Sequence, residues 1–379
     1  MEATGIDCYH DVVHIRSLSL FLFDQLKKPF FLLGLLFGAS LITLLVQKPS
    51  FTQAEAISLP NTPETIERVV NGSINSIAID DAGNSYIGGN FSRHGLNVPY
   101  RLVLNTDTEE IDAEYPRFNN NVSVVISDGS GGWYVGGEFT QVDSENRSYL
   151  IHILADKSVD LNWSPNPNGA VRALRLDGNT LYVGGYFTNI AGESRNYIAA
   201  FNAPTGALLA WDPGITNTAP LSPSVSTIDV DSDTVYFGGG FSHVDGSSRY
   251  SVASANKTTA DLTLWNPNPN NTIYTLLVDG TTIYIGGQYS NIGGEARNVL
   301  AAVNNTDGAA TAFNPNPDQA VYSLLLDNDI LYVGGAFDTI GGETRYGLAA
   351  IDTNTSLATA FETGGTDAVT IRGSMLLSE

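Results

Sequence analysis

Short apolar stretches alternate with polar turns along residues 71–366, and the pattern recurs at a nearly fixed period. Each period contains an aromatic residue, a bulky apolar residue, two glycines, any residue, and then Phe or Tyr. The glycine pairs are Gly88-Gly89, Gly136-Gly137, Gly184-Gly185, Gly238-Gly239, Gly286-Gly287 and Gly334-Gly335. Their first members are spaced 48, 48, 54, 48 and 48 residues apart, so the chain repeats one supersecondary unit that cannot bury its apolar face alone.

Residues 171–211 show the unit clearly. Val171, Leu174 and Leu176 mark an apolar strand, and Asp177-Gly178 follows as a hairpin turn because these residues accept positive φ. The segment LYVGGYF predicts a second strand, and a polar loop then leads to the strands YIAAF and ALLAW. Four short antiparallel strands in such a unit are typical of one blade of a β-propeller.

A second landmark keeps the same register. The predicted fourth strands end at Tyr115, Trp163, Trp211, Trp265, Phe313 and Phe361, and several are followed by Asn-Pro-Asn-Pro or a near variant. Because proline cannot donate to a strand ladder, these stretches predict connectors between blades. The extra six residues of the 54-residue interval also fall there, after Trp211, where they disturb no sheet.

The sequence therefore predicts an all-β fold, a β-propeller of six four-stranded blades. The predicted repeats are 71–118, 119–166, 167–220, 221–268, 269–316 and 317–366, within a domain of residues 57–379. Residues 367–379 predict a terminal strand or hairpin, and two closures stay open. Either six blades form the ring with terminal strands added to existing blades, or both chain ends build a partial seventh blade.

Two repeated features are candidates for ligand binding, although a structural role is the simpler interpretation of both. Glycine pairs inside strands indicate close backbone approach between blades rather than a phosphate loop. An arginine follows eight residues after the Phe or Tyr in five repeats, and four of these arginines have a glutamate two residues earlier. The arginines are Arg147, Arg195, Arg249, Arg297 and Arg345, and the glutamates are Glu145, Glu193, Glu295 and Glu343. They either lock each loop or form a ring that binds a carboxylate or sugar.

The N-terminal 56 residues have a different character. Residues 29–46 form an uncharged apolar run preceded by Lys27 and Lys28, and Ala54-Glu55-Ala56 provides a cleavage pattern downstream. The run predicts an export signal or, alternatively, an uncleaved membrane anchor. Either interpretation places the repeats outside the cytoplasm, secreted or held at the cell surface. The only cysteine, Cys8, precedes this run, so the repeats contain neither a disulfide nor a cysteine zinc site.

The net charge of −22 is spread over the repeats, because residues 57–379 carry 35 acidic and 14 basic residues. An acidic surface repels phosphate backbones, so nucleic acid is excluded as a partner, and contact with a membrane is expected only through an uncleaved N-terminal segment. His94, His152 and His243 occupy unrelated places in their repeats and indicate no triad or metal set. The residues predict no catalytic site, no metal and no cofactor.

Together the YVGG-x-F, G-E-x-R, L-A-A-F and W-N-P-N-P segments resemble secreted repeat propellers of the delta-sixty-repeat type. They are also similar to the propeller region of fungal cortical polarity-marker proteins, over about residues 70–366. The resemblance implies an exported or surface propeller and supplies no catalytic motif. We therefore expect a non-catalytic binding or scaffolding module for a protein or a glycan. The alternative is an extracytoplasmic hydrolase or lyase acting on a sugar or peptide polymer in the central channel, for which the fold alone argues.

Overall fold

The structure of the protein is a computed structural model that describes residues 73–79, 84–90, 101–105, 114–218, 223–361 and 374–375. The predicted export segment, residues 1–56, lies outside the described residues, as do residues 362–373. All regular structure in the described part is β. Six of its sheets each contain three consecutive antiparallel strands, and we number these as blades 1 to 6.

Each blade contains three consecutive strands. The first strands are Ser73–Ile79, Val122–Ser127, Val171–Asp177, Val225–Val230, Ile273–Asp279 and Val321–Asp327. The second strands carry the glycine pairs and are Asn84–Asn90, Trp133–Gly137, Thr180–Gly185, Thr234–Gly239, Thr282–Gly287 and Ile330–Gly335. The third strands are Arg101–Asn105, Leu150–Ile153, Ile198–Asn202, Val252–Asn256, Leu300–Asn304 and Leu348–Asp352.

The fourth strands are shorter than the sequence predicts. Blade 3 has a two-residue fourth strand, Ala207–Leu208, whereas blades 2, 4, 5 and 6 keep one isolated bridge at this place, as in the pair Ala255 and Leu262. A further backbone bond continues the pairing in blade 4, where Thr263 N–H donates to the carbonyl of Ser254 over 3.0 Å. Proline connectors follow closely and have no N–H to extend the ladder, which explains the short pairing.

The loop between the second and third strands is more regular than expected. In blades 3, 5 and 6 it folds into a two-residue ribbon, with strands Asn189–Ile190 and Glu193–Ser194, Asn291–Ile292 and Glu295–Ala296, and Thr339–Ile340 and Glu343–Thr344. In blade 4 the ribbon is His243–Val244 with Ser247–Ser248, and Ile215–Thr216 adds a third strand. The insertion after Trp211 therefore pairs with the loop of the blade that it precedes.

The first strands of successive blades contact one another from blade 1 to blade 6. The strand Ser374–Met375 contacts the first strand of blade 6 and pairs in parallel with Ser76 and Ile77 of blade 1. This short strand therefore links the last blade to the first. An open sheet edge is a hazard for aggregation, and the added strand covers one.

The glycine pairs lie where successive blades approach most closely. A Cβ on Gly184 would lie 2.7 Å from Cγ1 of Val225, in the first strand of the next blade. A Cβ on Gly185 would instead collide with the carbonyl oxygen of Ala170 in its own blade. Gly136, Gly238 and Gly286 meet the next blade in the same way as Gly184. The pairs are therefore a packing device, and the Phe or Tyr that follows them is fully buried in blades 2 to 6.

Candidate functional site

The repeated arginines bind backbone carbonyls of their own blades. Arg297 donates to the carbonyl of Ala296 over 3.0 Å and to that of Thr311 over 2.9 Å. Arg249 and Arg345 make the equivalent two bonds. Arg147 makes only the second of them, to the carbonyl of Leu161, and Arg195 only the first, to the carbonyl of Ser194. A planar guanidinium suits such a paired contact. In blades 4, 5 and 6 the arginine thus clamps the ribbon to the fourth-strand segment.

The glutamates of the same series occupy the exposed ribbons. Glu145, Glu193, Glu295 and Glu343 are all exposed. Glu145 lines a surface cleft of about 440 Å³ in blade 2, and Glu343 lines one of about 410 Å³ in blade 6. The four glutamates lie in four different blades. Among the described residues, no contact joins a glutamate or arginine of this series to one from another blade. Their role as a ligand-binding ring stays a prediction.

A second set of side chains differs from blade to blade. Each first strand has a β-bulge opposite its glycine pair, where one residue is skipped in the register. The bulge residues are Asn75, Ser123, Arg172, Ser226, Tyr274 and Tyr322. A bulge re-aims a side chain and is frequent beside functional sites. Because the first strands contact one another in series, these residues lie around one end of the channel that a propeller encloses.

The residues directly after the glycine pairs belong to the same end of the blades. In blades 2 to 6 they are Glu138, Tyr186, Gly240, Gln288 and Ala336. We define the channel mouth as the six bulge residues together with these five. The repeated positions around them stabilise the blades. The residues of the channel mouth do not have this structural role, so they can differ from blade to blade and recognise a particular ligand.

Arg172 organises one side of the channel mouth. Its guanidinium forms an ion pair with Glu138 and donates to Oγ of Ser123 over 3.3 Å. It also lies 5.5 Å from the centroid of the Tyr186 ring, a distance typical of a cation–π contact. Tyr186 stays 42% exposed beside this contact. Polar and aromatic contacts therefore join blades 2 and 3 at this side.

Tyrosine rings form the opposite side of the channel mouth. The ring centroids of Tyr274 and Tyr322 are 5.3 Å apart with the planes tilted by 44°. The Tyr274 hydroxyl donates to Oε1 of Gln288 over 3.0 Å. Between the two sides, blade 4 contributes only the small residues Ser226 and Gly240. The channel mouth therefore has a notch at blade 4, with aromatic and hydrogen-bonding groups on either side.

The first strands also carry an ion pair further along the channel. Nε of Arg175 lies 3.1 Å from Oδ1 of Asp229, whose other oxygen accepts the N–H of Val278 over 2.8 Å. Burial raises the pKa of Asp229, and the Arg175 charge with two backbone donors offsets this only in part. The inner edge of the blades, formed by the first strands, has similar contacts elsewhere. The side chains of Ser76 and Thr227 accept hydrogen bonds from the N–H groups of Val125 and Leu276 in the next blade.

His152 has a more specific environment than the sequence indicates. It pairs with Tyr134 at a register position that Ala200, Ser254, Ala302 and Ala350 fill in blades 3 to 6. Its Nε2 lies 3.0 Å from Asp128 and its Nδ1 3.2 Å from Asp160, while its ring stacks on Tyr134. These contacts distinguish His152 from an ordinary strand histidine, and sequence spacing alone does not show them.

The other two histidines offer less. Nδ1 of His243 lies 2.9 Å from the Ser242 hydroxyl and 3.4 Å from that of Thr218. Ser242 is fully buried, and no carboxylate contacts His243 among the described residues, so this pair lacks the third member of a triad. His94 lies outside the described residues.

Within the described ranges no group of three or more His, Cys, Asp and Glu is placed to hold a metal ion. In the same ranges, no helix is long and apolar enough to cross a membrane.

Comparison with known proteins agrees with this fold. A family model described as a domain of unknown function (DUF5122) beta-propeller matches residues 177–208, which run from the first hairpin turn of blade 3 to its fourth strand. No curated protein matches the chain. The computationally designed Ika8 protein is similar with 12% identity and a TM-score of 0.51, over 83% of this chain and 93% of that chain. A chain in the crystal structure of a mitotic checkpoint complex is similar with 12% identity and a TM-score of 0.54, over 89% of this chain and 93% of that chain.

At these identities the likeness concerns the fold alone. The all-β sheets, their series of contacts and the beta-propeller family match together define a repeat protein of β-propeller fold. Such a fold is a rigid frame that presents loops and a channel mouth, and it suggests a binding or scaffolding module.

Proposed function

We propose that the protein is a non-catalytic binding module that recognises its partner at the channel mouth. The observation that carries this proposal is the contrast between repeated and non-repeated positions. The arginines and glycine pairs recur in nearly every blade and serve the fold, whereas the channel mouth combines Arg172, Tyr186 and Tyr274 with small residues at blade 4. A rigid frame with a few convergent polar and aromatic groups is typical of a specific site.

We also propose that this module acts outside the cytoplasm, secreted or anchored by residues 29–46. The apolar run with its preceding lysines and the A-x-A pattern support export, and the net charge of −22 suits a soluble exterior domain. The motif combination YVGG-x-F, G-E-x-R and W-N-P-N-P supports the finer assignment to the delta-sixty-repeat type. Determination of the mature N-terminus after expression in a secreting host tests the export step, and a protein that stays intact in the cytoplasm would contradict it.

The alternative, a hydrolase or lyase in the channel, finds less support. Glycosidases use two carboxyl groups on either side of the scissile bond. Glu138 is the only carboxylate among the residues that define the channel mouth, and it is engaged by Arg172. Incubation of the purified full chain with polysaccharide and peptide panels should give no turnover. Measured turnover that Glu138→Gln abolishes would replace the binding proposal with the enzymatic one.

A further inference from the structure

The chemistry of the channel mouth indicates a class of ligand, and this step rests on the proposed function. Charge is balanced there, because Arg172 and Glu138 pair with each other and the other residues of the channel mouth are neutral. An anionic ligand needs an unpaired cation, and a cationic ligand needs an unpaired carboxylate. The channel mouth offers neither, and the net charge of −22 further repels anions.

The neutral groups that remain are suited to hydroxyl-rich ligands. Tyr186, Tyr274 and Tyr322 present aromatic rings with polar tips, and Ser226 and Gln288 add a hydroxyl and an amide group. The C–H face of a pyranose ring packs on an aromatic ring, while its hydroxyl groups need donors and acceptors at the edge. Both requirements are met on the two sides of the notch at blade 4.

An extended peptide fits this end of the blades less well. Peptides bind by strand addition when a sheet edge has free N–H and C=O groups. At the inner edge, the N–H groups of Val125, Leu276 and Val278 already donate to side chains of the preceding blade. The inner edge is therefore closed to strand addition at these positions.

We propose that the channel mouth binds a neutral saccharide, with one sugar ring seated in the notch at blade 4 between Tyr186 and Tyr274. Small residues at Ser226 and Gly240 leave the room for that ring, and the flanking tyrosines provide its apolar contacts. Gln288 and Arg172 lie beside these tyrosines and supply polar groups for sugar hydroxyl groups at either side. The site selects a neutral ligand because its only two charges neutralise each other.

Two variants and one control test this proposal on the purified full chain. Ser226→Tyr fills the notch with a residue that the fold accepts, since Tyr274 and Tyr322 occupy the equivalent bulges. Tyr186→Ala removes an aromatic side of the notch. Tyr250→Ala is the matched control, because Tyr250 is 43% exposed, close to the 42% of Tyr186, but lies in the loop after Arg249, outside the channel mouth.

The probes are neutral gluco-, manno-, galacto- and xylo-oligosaccharides, with uronic-acid oligosaccharides and basic peptides as parallel arms, measured by calorimetry. We expect at least one neutral probe to bind, with a loss of about tenfold or more in affinity in Ser226→Tyr and Tyr186→Ala and none in Tyr250→Ala. Binding of neutral probes that both variants leave unchanged would overturn the proposal, as would the absence of neutral binding. An acidic or peptide probe whose binding the two variants weaken would overturn the saccharide proposal but keep the proposed binding module. Turnover of a probe would overturn the binding module itself.

Discussion

The imidazole of His152 is held between two carboxylates, with Nε2 3.0 Å from Oδ2 of Asp128 and Nδ1 3.2 Å from Oδ2 of Asp160. Both ring nitrogens can donate only when the ring is an imidazolium, so this arrangement favours the charged form. Asp128 is fixed in turn by the N–H groups of Ser130 and Gly132, at 2.7 and 2.8 Å. A partly buried ion triad thus ties the first hairpin of blade 2 to its third strand and to the segment after Val159.

The triad predicts a specific dependence of stability on pH. Burial by itself lowers the pKa of His152, but the hydrogen bonds and charges of Asp128 and Asp160 outweigh it and raise the pKa above its ordinary value. The folded state therefore holds this proton more tightly than the unfolded state, whose histidine pKa is about 6.5. The stabilisation is fully present below that pH and is lost as pH rises through the folded pKa.

We therefore expect the free energy of unfolding in urea to fall as the pH rises above about 6.5. The variant His152→Ala should lose this pH dependence and about 3 kcal/mol of stability at pH 6, because two buried carboxylates lose their cation. The control His243→Ala should keep the slope of the original protein. A slope unchanged in His152→Ala would show that other groups cause it.

The close approach of blades 3 and 4 gives a second prediction. In Gly184→Ala the new methyl group would lie 2.7 Å from Cγ1 of Val225, so neighbouring strands must separate. We expect a loss of about 2 kcal/mol, within the range for overpacked cores. Adding Val225→Ala should make the double variant less destabilised than the sum of the single changes, since it removes the clashing methyl. Additive losses in chemical denaturation would contradict a direct contact between these residues.

Much of the fold follows from the sequence because repetition encodes it. The glycine pairs, the strand-end aromatics and the loop arginines keep one register, and most of their contacts recur from blade to blade. The sequence does not indicate the short fourth strands or the ribbons, because hydrogen-bond pairing over two residues leaves no hydrophobic period. Ile215 and Thr216 show this well, since nothing in their sequence indicates pairing with His243 and Val244.

The candidate site is harder to predict from the sequence because its residues do not repeat. A bulge shifts one residue per first strand, and its position depends on the register against the glycine pair, as at Arg172. Four residue types occupy the six equivalent places, so no motif marks them. His152 likewise acquires its partners only in the folded chain, since Asp128 lies 24 residues away and belongs to a hairpin turn one residue longer than that of blade 3.

The tryptophans at the strand ends form hydrogen bonds between blades, and these bonds give a further prediction. Nε1 of Trp211 donates to the carbonyl of Asn256 in the next blade over 2.9 Å, and Trp265 makes the equivalent bond to Asn304 over 2.8 Å. Trp211→Phe keeps an aromatic ring, as Phe313 has in blade 5, but leaves the carbonyl without this donor. We expect a loss of about 1 to 2 kcal/mol in thermal or urea unfolding. An unchanged stability would mean that water replaces the indole without cost.

The repeated arginines give the last prediction, which separates a structural role from a binding one. Arg297→Ala removes both bonds to the carbonyls of Ala296 and Thr311, so the ribbon of blade 5 loses its attachment to the fourth strand. We expect a loss of about 2 kcal/mol, and Arg297→Lys should recover little of it because an ammonium lacks the planar fork. The matched variant Glu295→Ala changes an exposed side chain of the same ribbon and should stay within about 0.5 kcal/mol of the original protein. Hydrogen exchange should show the amide of Thr311 losing protection in Arg297→Ala alone. If Arg297→Ala instead left stability unchanged and weakened binding of a ligand at the ribbons, the arginine series would be a recognition surface and the clamp a minor contact.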